Sequence, residues 1–316
     1  MLGSRRAKPG SAGEAKLSRD GRGYSAAAFA ALVLVTAVWG VTFVQIKDAL
    51  ETYPLFAFLA LRFAIAVATL AVPVAPRLRT LGRDGALAGV ALGALLATGY
   101  GLQTAGLQRT TVSAAGFVTG TYVVLTPVFA LLFFRIRVGM SVWLGVALAI
   151  VGLSMLSGVS AGSVSGDVLV LAAAASYAVQ IALMERFAPR YDALAFTTAE
   201  MTAAFVGFTI IAAVAGQFEV PRGATVWCAL VVTGVFASAL AYLVQAWAQQ
   251  RTSATRTALV FALEPVFAGI FGYALSGDRL GALGWAGCAV IMSGIAVAEP
   301  AAAGTLARLV RGRREA

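Results

Sequence analysis

Apolar residues run along this chain in long blocks, and polar residues are confined to the short breaks between them. Ten blocks approach the roughly 20 apolar residues that a bilayer-spanning helix needs. They cover approximately residues 26–46, 55–75, 86–107, 112–133, 141–159, 167–185, 194–215, 225–248, 257–276 and 282–299. A membrane β-barrel would show alternating strands of about ten residues. Stretches such as Ala86–Leu96 and Ala195–Val214 do not alternate and are rich in small and aliphatic residues. Backbone polar groups in lipid must be satisfied within their own segment, so the blocks predict helices. The expectation is an all-α integral membrane protein of ten transmembrane helices. Short loops join them and leave no room for a soluble domain.

The flanks read differently. Residues 1–24 are rich in Gly, Ser, Arg and Lys and form a basic tail, and residues 300–316 form a second one. A secretory signal places a short apolar core near the N-terminus. Here the first apolar run starts late and is long enough to span, so it reads as the first membrane helix. The tails act as topology signals that can also meet anionic lipid headgroups.

Composition agrees with a lipid setting: 60% of residues are apolar and 12% are charged, and the mean hydropathy is +0.86. A soluble domain carries about 25% charged residues, and a disordered chain needs low hydrophobicity. Both classes are excluded. The net charge of +10 implies no nucleic acid once it is placed. With the N-terminus in the cytoplasm, 19 of the 24 Lys and Arg fall in inside segments and 4 in outside segments, leaving Arg62 within a span. The positive-inside rule then puts both termini in the cytoplasm. The chain has no His and two Cys, Cys228 and Cys288, each within an apolar stretch and both read as core residues. That set supports neither a zinc site nor a disulfide framework, and no metal or cofactor is expected.

The chain also contains itself twice. Gln103–Arg109 (QTAGLQR) matches Gln245–Arg251 (QAWAQQR) at an offset of 142, which also pairs Tyr100 with Tyr242. Leu125–Ala130 matches Leu263–Ala268 at 138, and Trp143, Gly145 and Gly152 match Trp285, Gly287 and Gly294 at 142. Phe58 pairs with Phe196, and Trp39 with Tyr177, at 138. The copies are residues 25–160 and 161–299, each with five expected helices. An odd number inserts the second copy upside down, the inverted-repeat arrangement of secondary transporters.

Four stretches in order carry a family resemblance: WGVTFVQIKDAL (Trp39–Leu50), FLALRFAIA (Phe58–Ala66), TVSAAGFVTGTYVVLTPVFALLF (Thr111–Phe133) and TSATRTALVFALEPVFAGIFGYALSGDRLG (Thr252–Gly281). Together with the ten blocks, they resemble the EamA-type family of the drug/metabolite transporter superfamily over about residues 25–299. The resemblance implies a ten-helix plasma-membrane carrier of amino acids, metabolites or drugs, often working outward. Two places depart from the family pattern. Gly277-Asp278-Arg279-Leu280 stands where the family commonly has Gly-Glu-Arg-Leu, and Arg135-Ile136-Arg137 where it often has an acid.

Ionisable groups inside a membrane cost roughly 2.5–3.5 kcal/mol on insertion scales, which makes each a functional candidate. Glu264 lies in the ninth block just before Pro265, and its sister is Thr126 before Pro127. Proline removes a backbone donor and kinks a helix, so Pro127 and Pro265 predict paired kinks. Glu264 is the candidate site for a proton or a cationic substrate group; alternatively it only stabilises the kink. Arg62 and Glu200 are sister positions at offset 138. Inversion would set them towards opposite faces, each in a gate or ion pair on its own side, with headgroup snorkelling as the alternative for Arg62.

A further stripe recurs. Trp39 and Thr42, Tyr100 and Gln103, Tyr177 and Gln180, and Tyr242 and Gln245 are each three apart and so share a helix face. Small-molecule sites combine apolar and aromatic walls with a few polar groups, so the eight are candidate substrate-binding residues; aromatic anchoring at the membrane interface is the alternative. Glycines at small-xxx-small spacing, Gly89/Gly93 and Gly116/Gly120, predict close helix packing. The function that follows is a secondary transporter of small molecules in a bacterial plasma membrane, with a proton as candidate coupling partner. An intramembrane enzyme would need clustered carboxylates, a metal set or an activated nucleophile, and none is present in the sequence. A channel or non-transporting membrane protein is the alternative. No residue pattern specifies an oligomeric state.

Overall fold

A computed structural model of the chain describes residues 26–110, 112–135, 138–157, 163–275 and 281–298, and their regular structure is entirely helical. In order, the helices are α1 (Ala26–Leu50), α2 (Leu55–Val74), α3 (Gly82–Leu107), α4 (Val112–Gly120), α5 (Tyr122–Phe134), α6 (Met140–Ser157), α7 (Val164–Phe187), α8 (Ala193–Val214) and α9 (Ala224–Val231). A π-helical stretch, Val232–Leu240, then leads into α10 (Ala241–Gln249), followed by α11 (Ala254–Phe261), α12 (Glu264–Leu275) and α13 (Ala282–Ala298). Both basic tails, Ile136-Arg137 and the Gly277–Leu280 motif lie outside the described residues.

Seven stretches among the described residues are long and apolar enough to cross a membrane: 26–50, 55–74, 82–107, 115–134, 164–190, 193–214 and 224–249. Two further apolar helices are shorter, Met140–Met155 and Ala282–Ala298. The expected ninth block is divided into α11 and α12 by a turn at Ala262–Leu263. Large apolar side chains cover the outside, with Leu34 67% and Val214 85% exposed. Contiguous exposed apolar surface on this scale requires a lipid solvent.

Proline acts differently in the two copies. Pro265 is the second residue of α12, where its missing N–H costs nothing because the first turn has no intrahelical acceptors. The helix is therefore broken and restarted there rather than kinked. Pro127 lies inside α5, and the interruption in that copy falls earlier, at Thr121. There the Thr121 hydroxyl turns back to donate to the Val118 carbonyl at 2.6 Å.

Packing between helices comes in exchanged pairs. α3 packs on α7 as α9 and α10 pack on α1; α3 packs on α8 as the π-helical stretch packs on α2; α5 packs on α7 as α12 packs on α1. α6 packs on its own sister, α13. A Cβ on Gly145 would come 2.6 Å from the Gly294 carbonyl oxygen, and one on Gly152 would come 2.6 Å from that of Gly287. Gly145 and Gly287 are sisters, as are Gly152 and Gly294. Each contact thus maps onto the other when the copies are exchanged, the signature of a two-fold relation. The order also reverses along the pair, so α6 and α13 run antiparallel, as an inverted repeat requires.

Two hydrogen bonds between the copies end on sister carbonyls. Trp39 donates its indole N–H to the Ala237 carbonyl at 2.8 Å, and Ser176 donates to the Leu95 carbonyl at 2.7 Å; Leu95 and Ala237 are sisters at offset 142. The sisters Phe58 and Phe196 are both fully buried.

Two expectations about small residues need correction. Cys288 is buried, but Cys228 is exposed on the outside of the bundle, because a thiol is small and apolar enough to face lipid. Gly89, Gly93 and Gly120 meet neighbours closely (Ala199, the Glu200 carbonyl and Leu153), whereas a side chain on Gly116 would meet open space.

Candidate functional site

Tyr100 touches its own sister: the Tyr242 hydroxyl donates to the Tyr100 hydroxyl at 3.4 Å, with ring centroids 6.3 Å apart. A residue in contact with its own repeat mate lies beside the pseudo-two-fold axis. A cavity of about 60 Å³ opens there, room for a few water molecules. The structure brings Trp39, Thr42, Tyr100, Gln103, Tyr177, Gln180, Tyr242, Gln245 and Glu264 together around it. Four of them come from the first copy and five from the second.

Local bonding decides what each residue can offer. Trp39 has its N–H tied to Ala237, so it presents ring; that ring lies 4.8 Å from Phe261 and 5.8 Å from Tyr242. Thr42 spends its hydroxyl proton on the Trp39 carbonyl at 2.8 Å. The Tyr177 hydroxyl donates to Gln103 Oε1 at 3.0 Å, and Gln103 Nε2 donates to Thr119 Oγ1 at 3.0 Å. On the other side, Gln245 Nε2 donates to Gln180 Oε1 at 3.1 Å and to Gln249 Oε1 at 2.9 Å. Sister glutamines 103 and 245 therefore enter different networks.

Glu264 is buried, 8% exposed, and opens α12. Tyr122 donates to its Oε2 at 3.3 Å. A helix start presents unpaired N–H groups and the positive end of the macrodipole, which favour a carboxylate. The turn at Ala262–Leu263 is what allows an acid from this span to face the cavity while held at a helix terminus.

Arg62 and Glu200, the sister charges, sit in different surroundings. Arg62 is 1% exposed and lines the cavity. Its Nε donates to Ser238 Oγ at 2.8 Å and its Nη2 to the Tyr100 hydroxyl at 3.0 Å. Its guanidinium carbon lies 4.4 Å from the Tyr100 ring centroid and 5.9 Å from that of Phe63. Snorkelling is overturned: α2 packs against α8 and the π-helical stretch, which turns this side chain inward. Glu200 is fully buried and accepts from Gln180 Nε2 at 2.7 Å; its Oε2 has no partner among the described residues. It stands behind Gln180 rather than at the cavity wall. The two do not pair with each other; an ion pair near the surface joins Arg77 and Asp192 at 3.5 Å.

Tyr122, Thr119 and Phe261 line the cavity without having been singled out in the sequence, and Ser238 anchors Arg62. Tyr122 precedes Thr126, the sister of Glu264, by one helical turn, a signal visible only once Glu264 is known to need a donor.

The EamA-like transporter family model matches the chain twice, at residues 26–158 and 164–298. An uncharacterized transporter of Archaeoglobus fulgidus is 33% identical over 273 residues, covering 84% of this chain and 83% of that protein. A crystal structure described only as that of a protein superposes with a TM-score of 0.74 over 86% of this chain and 97% of its own, at 18% identity, a likeness of fold alone. With a doubled family match laid over an all-helical, apolar-faced bundle, the chain belongs to the EamA-like transporter family and is a multi-pass membrane transporter.

Proposed function

We propose that the protein is a secondary carrier that exports small metabolites, amino acids or drugs across a bacterial plasma membrane by alternating access. In this reading ten transmembrane helices form two inverted five-helix repeats, residues 25–160 and 161–299, with both termini in the cytoplasm. The observation that carries it is the cavity where Tyr100 meets Tyr242. A binding site on the axis that relates two inverted halves sees the same scaffold from either side of the membrane. Rocking one half against the other then converts an inward opening into an outward one of similar energy.

The cavity chemistry suits a small solute. Aromatic walls from Trp39, Tyr100, Tyr177, Tyr242 and Phe261 provide an apolar body site, and glutamines, Arg62 and Glu264 provide orientation. Glu264 is the group assigned to bind a coupled proton or a cationic part of the substrate. No nucleotide-binding loop occurs in the sequence, so a solute or ion gradient supplies the energy. The test is flux into proteoliposomes from a broad metabolite panel. Saturable, counterflow-competent flux is expected; absence of any saturable flux would reject the carrier, and linear conductance would favour a channel. Accessibility labelling of single cysteines near residues 160 and 299 is expected to place them on opposite faces.

A further inference from the structure

We propose that Arg62 is the specificity-determining residue of the cavity and that the substrate is a small molecule bearing one carboxylate. The inference rests on the carrier reading and names the chemistry of its cargo. Arg62 carries a positive charge in a buried position, lines the cavity, and forms no ion pair among the described residues. Its protein partners are neutral oxygens, Ser238 Oγ and the Tyr100 hydroxyl, which engage Nε and Nη2. Nη1 makes no hydrogen bond to the described residues, yet it is not among their sealed, unpartnered polar atoms, so its donors open onto the cavity.

Nothing among the described residues uses that free edge. A guanidinium presents its donors in a planar fork that matches a carboxylate. Ser238 and the Tyr100 ring clamp the plane, leaving the outer edge pre-set for a planar anion. The Tyr100 hydroxyl, which accepts from Arg62 Nη2 and from the Tyr242 hydroxyl, stands next to the same edge. The sister position makes the assignment sharper. The fold does not demand a charge facing the axis at this place, because Glu200 occupies the equivalent site and is screened by Gln180.

Glu264 lines the same cavity. A carboxylate arriving at Arg62 therefore enters a compartment that already holds one acid. Two cargoes share the carboxylate and balance the charge: a zwitterion whose ammonium meets Glu264, and a simple carboxylate accompanied by one proton on Glu264. Both satisfy the proposal, and the experiment separates them.

The experiment uses the full chain in proteoliposomes. Matched probes with one branched aliphatic body are 4-methylpentanoate, leucine, 4-methylpentanamide and 3-methylbutylamine. Protein-dependent uptake of at least one carboxylate-bearing probe is expected to exceed that of the amide by about tenfold or more, since a site built to pair a polar group rejects analogues lacking it. Leucine without proton movement identifies the zwitterion; 4-methylpentanoate with one proton identifies the acid. Arg62→Gln is expected to remove the preference, and Arg62→Lys to retain part of it, with both variants checked for an unchanged elution profile. Equal uptake of amide and carboxylates, carboxylate preference surviving in Arg62→Gln, or no uptake of any probe would each overturn the proposal. If the broad metabolite panel still shows saturable flux in those cases, the carrier reading stands without it.

Discussion

Arg62 and Glu200 occupy one position in two copies of the same fold, and they do opposite things. Arg62 faces the axis with spare donors, braced by Ser238 and Tyr100. Glu200 is fully buried behind Gln180, with one oxygen bonded and one not. The backbone around them is alike: a glycine of the neighbouring helix abuts the carbonyl of each, Gly234 against Arg62 and Gly93 against Glu200. Duplication thus preserved the crossing geometry and let the side chains diverge. On the proposed carrier reading, motion belongs to the symmetric part of the molecule and recognition to the asymmetric part.

The largest effect is expected where symmetry is strictest. A side chain on Gly152 would start 2.6 Å from the Gly287 carbonyl oxygen, and the neighbour is backbone that has no room to yield. Gly152→Leu must push α6 and α13 apart, at a cost of about 3 kcal/mol from overpacking and lost close contacts. Fluorescence-detected size-exclusion chromatography of the variant is expected to show loss of the monodisperse peak. Gly116→Ala, where nothing lies within 4 Å, is expected to keep it. A folded Gly152→Leu would mean that the α6–α13 crossing does not hold the halves together.

The same division explains how much could be read from the chain. The stripes were legible because aromatic and polar residues three apart recur on four helices at repeat offsets, and a period repeated in register is hard to obtain by chance. Arg62 was visible as a charge within a span, but its direction was not, since sequence period does not say which flank of α2 meets α8 and the π-helical stretch. The break before Glu264 was half legible. Proline marked the place, yet kink and restart differ only in whether Ala262–Leu263 leave the helix, which depends on Tyr122, a partner of Glu264 from a distant part of the chain. Ser238 and Thr119 carried no signal, being single hydroxyls of a kind common in membrane helices.

Glu264 lies on the asymmetric side, because its sister is Thr126. Glu264→Gln keeps the shape and the Tyr122 contact but removes both the charge and the exchangeable proton. Flux in proteoliposomes is expected to fall by about tenfold or more, in line with loss of a charge-assisted hydrogen bond. If protons couple here, the residual flux should also lose its response to an imposed pH gradient. Unchanged flux with an unchanged response would remove Glu264 from the mechanism.

A paired substitution then compares the two halves directly. Trp39→Phe and Ser176→Ala remove hydrogen bonds to two sister carbonyls, of 2.8 Å to Ala237 and 2.7 Å to Leu95. Each is worth about 1 kcal/mol net, so thermal melting in detergent is expected to register losses of similar size. Only Trp39 borders the cavity. The apparent KM for transport should therefore shift in Trp39→Phe and hold in Ser176→Ala. Equal KM shifts in both would mean that the site reads helix position rather than cavity chemistry.

The smallest effect is expected at Glu200, and for a specific reason. Its carboxyl spends one oxygen on Gln180 and leaves the other unpartnered in the interior. Glu200→Gln keeps an acceptor for Gln180 and exchanges an orphan oxygen for an orphan amide, a near-neutral swap of unsatisfied groups. It also removes whatever desolvation cost the acid carries, as replacing a poorly paired buried ion often does. Melting is expected to stay within about 1 kcal/mol of the parent or to rise, and flux to change less than about twofold, against the tenfold loss of carboxylate preference expected for Arg62→Gln. The outcome that breaks the comparison is a Glu200→Gln variant that melts normally and does not transport. That result would put an acting charge in each half, and the divergence between the copies would then be a division of labour along one pathway rather than the survival of one site and the silencing of its sister.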